Sequence, residues 1–165
     1  MGSHTITELY SAFAALDTQR MAACYAPNAS FEDEAFSLRG KDEIMSMWGM
    51  LCDAVKEKGR KEWKLTFSNV QANGMSGSAH WEPIYLSSAT GRIVHNIIDA
   101  EFTFNEQGLI LTHRDRFDFW RWSRQALGTP GALLGWSGFL RSKVKAQANK
   151  GLRKYMAAKA QGHTA

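Results

Sequence analysis

Apolar residues change period along this chain, from helical spacing in the first third to alternation in the middle and back to helical spacing at the end. Ile6, Leu9, Tyr10, Phe13 and Leu16 recur every three or four residues and predict a first helix. Thr5-Ile6-Thr7-Glu8 has the form of a capping box at its start, and Met1 to His4 read as partly vector-derived. Asp17 can cap a short second helix carrying Met21, Cys24 and Tyr25, which Pro27-Asn28 stops. Ala29 to Asp33 then reads as a short strand and Phe36-Ser37-Leu38 as a brief return. A third helix begins at Gly40, with Asp42 and Glu43 placed to suit its dipole and Ile44, Met47, Trp48, Leu51 and Val55 on its buried stripe.

After a charged connector from Lys56 to Arg60 the pattern alternates. Strands are predicted at about 62–71, 75–87, 92–104 and 109–120, the last two joined by a hairpin at Asn105-Glu106-Gln107-Gly108. Alternation places Val94, Ile98, Ala100, Phe102 and Phe104 on one face, with Asn96 as its polar member. Leu109, Leu111, Phe117 and Phe119 share the facing side, interrupted by His113 and Asp115. Pairing Phe104 with Leu109 across the turn makes the two apolar faces coincide. Asp99, Glu101, Arg114, Arg116 and Asp118 then fall outside. Helices followed by an antiparallel meander indicate an α+β fold. The tail reads as two helical pieces, roughly 121–127 and 137–160, split by Gly128-Thr129-Pro130-Gly131.

Composition narrows the classes. A chain of 165 residues is expected to form one domain with a real core. No apolar run approaches the roughly 20 residues of a membrane span, and the N-terminus lacks a signal-peptide core. Cys24 and Cys52 sit alone without a CxxC and read as reduced core thiols, which suits a cytoplasmic protein. The net charge of +4 is unevenly spread, because no acidic residue follows Asp118 whereas arginines and lysines run from Arg121 to Lys159. The aromatic residues of the tail precede its charges rather than interleave with them. A solvated basic face is therefore expected, in preference to nucleic-acid or membrane binding.

Several stretches together resemble the nuclear transport factor 2-like superfamily: Tyr25-Ala26-Pro27-Asn28-Ala29-Ser30-Phe31-Glu32-Asp33, Arg39-Gly40-Lys41-Asp42-Glu43-Ile44, Thr90-Gly91-Arg92, Gly108-Leu109-Ile110 and His113-Arg114-Asp115-Arg116-Phe117-Asp118. The likeness covers about residues 5–122. It implies a cone-shaped fold, shared by ketosteroid isomerases, limonene epoxide hydrolases and SnoaL-like polyketide cyclases. A curved mixed or antiparallel sheet wraps the N-terminal helices there, with a pocket inside the cone. Residues 123–165 are expected as a basic helical extension packed on the domain or a partner. Asp33 matches the isomerases' general base, and Ala100 stands where their oxyanion-hole acid would be. Asp115 matches one of the hydrolases' paired aspartates, whose two partners fall on Trp81 and Pro83. His113 matches the pocket histidine of the cyclases.

The expected site is therefore Asp33, His113 and Asp115 as catalytic groups, with Asn96 and the aromatic walls Phe31, Trp48, Trp81, Tyr85 and Phe117 binding substrate. Burial can raise a carboxyl such as Asp33 towards neutrality as a base. His113 could shuttle a proton, oriented by Asp115, and Asn96 could donate to a carbonyl or enolate. The bland alternative is that His113 and Asp115 only satisfy each other. The expected function is cofactor-independent general acid/base chemistry (isomerase, cyclase, lyase or epoxide hydrolase) on an apolar, oxygen-bearing small molecule. A non-catalytic ligand-binding or dimerisation domain is the alternative, and a homodimer through the outer sheet face is expected in either case. No metal is expected: His80 and His95 face outward, and neither H-x₃-H nor HExxH occurs. Trp120, Trp122, Leu133, Leu134, Trp136 and Phe139 are too apolar to be left exposed, so they are expected to cover the cone mouth or a dimer surface. The Gly128–Gly138 segment could serve as a lid.

Overall fold

A computed structural model of the protein describes residues 1–162. Helices α1 (Gly2–Ala14) and α2 (Thr18–Ala23) lead into strands β1 (Tyr25–Glu32) and β2 (Ser37–Arg39), then α3 (Lys41–Ala54). A π-helical turn at Val55–Gly59 extends α3 before the long strands β3 (Lys64–Asn73) and β4 (Ser76–Leu86). The short β5 (Ile93–His95), β6 (Ile98–Phe104) and β7 (Ile110–Arg116) complete the sheet. The tail is α4 (Phe119–Leu127), α5 (Thr129–Leu134) and α6 (Gly138–Gly162). The sheet runs β2-β1-β7-β6-β4-β3, with β5 paired to β4, and it curls into a half-barrel. Among the described residues the β1–β7 pairing is parallel and the others antiparallel, so the sheet is mixed, one of the two forms the resemblance allowed.

The concave face closes on α1 and α3. Ile6, Leu9, Tyr10 and Phe13 of α1 meet Ile44, Met47, Trp48 and Cys52 of α3, and Trp81, Ala100 and Phe102 of the sheet, in one continuous core. Both cysteines are buried there as free thiols. Helix α6 packs along α3 through Leu152, and polar contacts pin it. Asn149 Nδ2 donates to Ala35 O at 3.1 Å, Tyr155 OH to Asp53 Oδ2 at 2.6 Å, and Arg141 Nη1 to Glu34 Oε2 at 2.7 Å. The basic tail thus docks in part on the acidic body of its own chain.

Several boundaries differ from expectation. Helix α1 starts at Gly2, not at Thr5, and Gly2 packs so closely on Phe104 that a Cβ would lie 2.6 Å from the ring. Thr5 is inside the helix, where its hydroxyl donates to Gly108 O at 2.7 Å and ties α1 to the hairpin turn. Tyr25 belongs to β1 and not to a helix. Pro27 does not stop a helix but lies in that strand, where a register irregularity between Tyr25 and Ser30 accommodates it. The strand expected over 92–104 breaks between His95 and Ile98, opposite Pro83, whose carbonyl accepts from Asn96 N at 3.0 Å. Pro83 has no amide hydrogen to return, so the ladder cannot continue there. Phe104 pairs with Ile110 rather than Leu109. A bulge shifts the register after Thr103–Thr112 and buries Ile110 in place of Leu109 and Leu111. Gly108, at φ +75°, makes the hairpin turn that its sequence announced.

Candidate functional site

The inward polar residues of β7 are placed by its register. His113 sits beside Phe31 of β1 on one side and Phe102 of β6 on the other, and Asp115 sits beside Ala100. The small Ala100 leaves room for the carboxylate. His113 Nε2 and Asp115 Oδ1 are 2.9 Å apart, and Trp81 Nε1 donates to the same Oδ1 at 3.3 Å. On the other side of the ring Nδ1 lies 2.8 Å from Tyr25 OH, which accepts from Trp48 Nε1 at 3.1 Å. One assignment satisfies every group. Trp48 donates to Tyr25, Tyr25 donates to His113 Nδ1, and His113 Nε2–H donates to Asp115. Tyr25 was not anticipated as part of this site, because its place in β1 depends on reading Pro27 as a strand residue.

This chain runs from the core to the surface. His113 is wholly enclosed by aromatic rings, with Phe102 at 4.4 Å, Phe31 at 5.0 Å and Trp48 at 6.1 Å between centroids. Asp115 is its outer end and lines a cavity of about 510 Å³ with Asp33, Glu32, Glu34, Arg114, Arg116, Arg141, Ser142 and Lys145. The structure therefore brings Asp33 and Asp115 to one opening and leaves His113 behind Asp115. Arg141, Ser142 and Lys145 come from α6, a contribution that only the packing of the tail reveals.

Asp33 occupies the sharp turn between β1 and β2. Its Oδ1 accepts from Ala35 N and Phe36 N, each at 2.7 Å, and its own N–H donates to Phe36 O at 3.0 Å. This is an Asx turn, which accounts for an aspartate at the position on local grounds alone. Burial nevertheless drives its carboxyl from an ordinary 3.8 up to about 7. The two backbone donors and the His113 ring oppose that rise, whereas the charge of Asp115 adds to it. The acids at the rim are differently placed: Glu32 pairs with Arg114 at 3.0 Å and Glu34 with Arg141 at 2.7 Å. Among the described residues Asp33 has no such cationic partner.

The remaining expected ligand contacts are dispersed. Phe31, Trp48 and Trp81 are buried, packed against one another and against Phe13 and Tyr10, and line neither this cavity nor the next. Their rings meet at 5.3 Å (Phe31–Trp48) and 6.3 Å (Trp48–Trp81) between centroids. Asn96 and Phe117 line a separate opening of about 410 Å³ beside Ile97 and Arg121. Asn96 Oδ1 is already engaged by Ile97 N at 3.1 Å, at the strand break. Tyr85 OH accepts from Trp122 Nε1 at 2.9 Å, and burial pushes its hydroxyl up to about 12. On the outer face His80 bridges Asp99 and Glu82 at 2.8 and 2.9 Å, which raises its pKa, and Glu82 also holds His95. Among the described residues no group of three or more histidine, cysteine or acidic side chains is arranged to hold a metal ion. Nor is any described helix long and apolar enough to cross a membrane.

The family model of the SnoaL-like domain matches residues 6–113, more than half of the chain. The chain belongs to the SnoaL-like domain family. No curated protein sequence matches it. Among solved structures, an epoxide hydrolase of the limonene type from M. tuberculosis superposes with a TM-score of 0.62 at 15% identity, covering 82% of this chain and 96% of that one. A protein with a ketosteroid isomerase-like fold from Catenulispora acidiphila, solved with trimethylamine, gives 0.62 at 11% identity over 78% and 95%. A polyketide cyclase candidate from Xanthomonas campestris gives 0.59 at 15% identity over 76% and 96%. At these identities the likeness is one of fold. SnoaL-like membership accounts for the cone and for the tail's position outside the matched span, and it leaves the chemistry to the residues at the opening.

Proposed function

We propose that this SnoaL-like protein is an enzyme that performs cofactor-independent proton transfer on an oxygen-bearing small molecule at the Asp33–Asp115 cavity. The observation that carries this reading is the Asp33 carboxyl, raised to about 7 by burial beside a second carboxylate in one opening. A group with that affinity is present as both acid and base at neutral pH, which is what general acid/base catalysis requires. Its Oδ1 is fixed by two backbone donors, so Oδ2 is the oxygen that takes and returns the proton. Asp115 is fixed likewise through Oδ1 by Trp81 and His113, leaving its second oxygen to orient a substrate hydroxyl or a water molecule. In an isomerisation or cyclisation, Asp33 would remove a proton from carbon beside a carbonyl, and Arg114, Arg116, Arg141 or Lys145 would offset the charge developing on oxygen. In an epoxide opening, the same base would take the proton of the attacking water as the ring C–O bond breaks, and would return that proton to the released alkoxide oxygen.

The charged lining also bears on the ligand. A wholly apolar molecule would strip water from the rim ion pairs without replacing it, at a cost of several kcal/mol. A polar, oxygen-rich substrate fits this cavity better than the apolar one expected from the sequence.

The test is turnover across a panel of carbonyl compounds and epoxides, with ligand affinity measured in parallel. Asp33→Asn and Asp115→Asn are expected to abolish turnover while leaving affinity within a few-fold. If ligands bind and no compound turns over in the unaltered protein, the binding-domain reading replaces this one.

A further inference from the structure

We propose that the apolar ridge formed by α5 and the start of α6 seats the protein on an anionic lipid surface. Trp136 is 75% exposed, Phe139 71% and Leu133 66%, with Leu134 also exposed beside them. Single exposed apolar residues are ordinary, but this many large ones within residues 133–139 form a patch of the kind that marks an interaction site. The sequence led us to expect these side chains to be covered by the cone or by a dimer partner; within the chain they are not.

The ridge is held outward rather than left loose. Gly131 lies so close to α4 that a Cβ would fall 1.9 Å from Ser123 O, and at Gly135 a Cβ would fall 2.1 Å from Ser123 Oγ. Ser123 is itself buried and donates to Trp120 O and Gly131 O. Both indole N–H groups of the region are satisfied internally, Trp136 by Leu133 O at 2.9 Å and Trp120 by Ala132 O at 3.2 Å. Entry of these rings into an interfacial or hydrocarbon layer would therefore desolvate no unpaired donor.

Charge selects the occupant. No charged residue lies between Gln125 and Leu140, arginines precede this stretch, and Lys143 and Lys145 follow it. No acidic residue occurs after Asp118. Arg141 is engaged by Glu34 and Lys145 borders the cavity acids, whereas Arg124 and Lys143 are exposed and, among the described residues, in no ion pair, so the apolar tip keeps a cationic rim that the body neutralises only in part. A two-fold pairing of ridges would set that rim against its copy, whereas an anionic bilayer takes the apolar tip and the cations together. The protein would lie on the surface and not cross it, since no described helix can span. The basic tail read from the sequence as a solvated face becomes one half of a two-part anchor.

The experiment is co-sedimentation of the full chain with vesicles of phosphatidylcholine alone and of phosphatidylcholine mixed with phosphatidylglycerol. Trp136→Ser/Phe139→Ser is the test variant, with far-UV circular dichroism to verify that these exposed substitutions leave the fold intact. Binding is expected only to the mixed vesicles, weakened by salt, and reduced in the double variant by roughly tenfold for each aromatic ring withdrawn. Absence of binding to mixed vesicles at low salt overturns the proposal. So does equal binding by the double variant, which would place the attraction in α6 alone. A dimer in sedimentation velocity that the same variant dissociates, without vesicle binding, would assign the ridge to a second copy instead.

Discussion

Replacing Asp33 with asparagine should stabilise the protein at neutral and alkaline pH while removing its proposed chemistry. The carboxyl rises from 3.8 to about 7 on folding. The folded state therefore binds the proton more tightly than the unfolded chain, and between about pH 4 and pH 7 it holds more protons. Stability then falls as pH rises through that window: the contribution is complete below the unfolded value and lost above the folded one. The rise from 3.8 to about 7 corresponds to a ceiling of about 4 kcal/mol, because each tenfold change in proton affinity is worth about 1.4 kcal/mol. Asp33 is only half-buried, so solvent screening reduces this to about 2 to 3 kcal/mol. Asparagine keeps the Oδ1 acceptor for the Ala35 and Phe36 amides and cannot ionise, so it retains the turn and loses the penalty.

The assay is urea unfolding of both proteins from pH 4 to pH 8, comparing midpoints at equal m-value. Other groups titrate in the same range, but they are common to both proteins and cancel in the difference. Asp33→Asn should match the unaltered protein near pH 4, exceed it increasingly up to about pH 7 and level off by pH 8. A difference that does not vary with pH, or a variant less stable at pH 8, would mean that Asp33 is comfortably ionised in the fold. The acid/base proposal would then lose the observation on which it stands.

Two tyrosines and a glycine provide sharper local checks. Tyr25→Phe leaves Trp48 Nε1 and His113 Nδ1 buried without a partner, and should cost about 2 to 4 kcal/mol in urea unfolding. Tyr10→Phe is the counterpart: Tyr10 OH is buried without a hydrogen-bond partner, so its removal should be neutral or stabilising by about 1 kcal/mol. Gly131→Ala drives a Cβ into the Ser123 backbone and should cost about 3 kcal/mol or unseat α5, read as lost thermal stability and new protease sensitivity near residue 131.

The cone and its polar interior were legible because alternation is a strong constraint. Strand parity alone put His113 and Asp115 inside and Asp99 and Glu101 outside, and the register of β6 on β7 has them there. Prolines were harder to read. Pro27 looked like a helix stop and hid Tyr25's place in β1, while Pro83 broke a strand that hydrophobicity showed as continuous. Both are effects of a missing amide hydrogen in a ladder, and the outcome depends on which neighbour stands opposite. How the aromatic rings meet inside the cone was not legible at all. Alternation turns Phe31 and Trp81 inward and helical spacing does the same for Trp48, but neither says how their rings meet. The cationic contribution of Arg141 and Lys145 was equally hidden, since it requires knowing that α6 returns over the β1–β2 turn.

The enclosure of His113 divides the labour between the two aspartates, and the division can be measured. Asp33 carries a raised pKa, a sign of a group held against its preference. Asp115 instead completes a chain in which each buried donor has an acceptor, from Trp48 through Tyr25 and His113, with Trp81 as a second donor to its Oδ1. Asparagine at position 115 preserves an oxygen for these donors and weakens two charge-assisted bonds to neutral ones, a loss of about 1 to 2 kcal/mol. The variants should therefore diverge in stability while agreeing in lost turnover, with Asp33→Asn rising at pH 8 and Asp115→Asn falling. If Asp115→Asn is instead the more stable protein, its carboxylate is strained rather than supported, and the two aspartates would have to be treated as one coupled acid sharing a proton across the cavity.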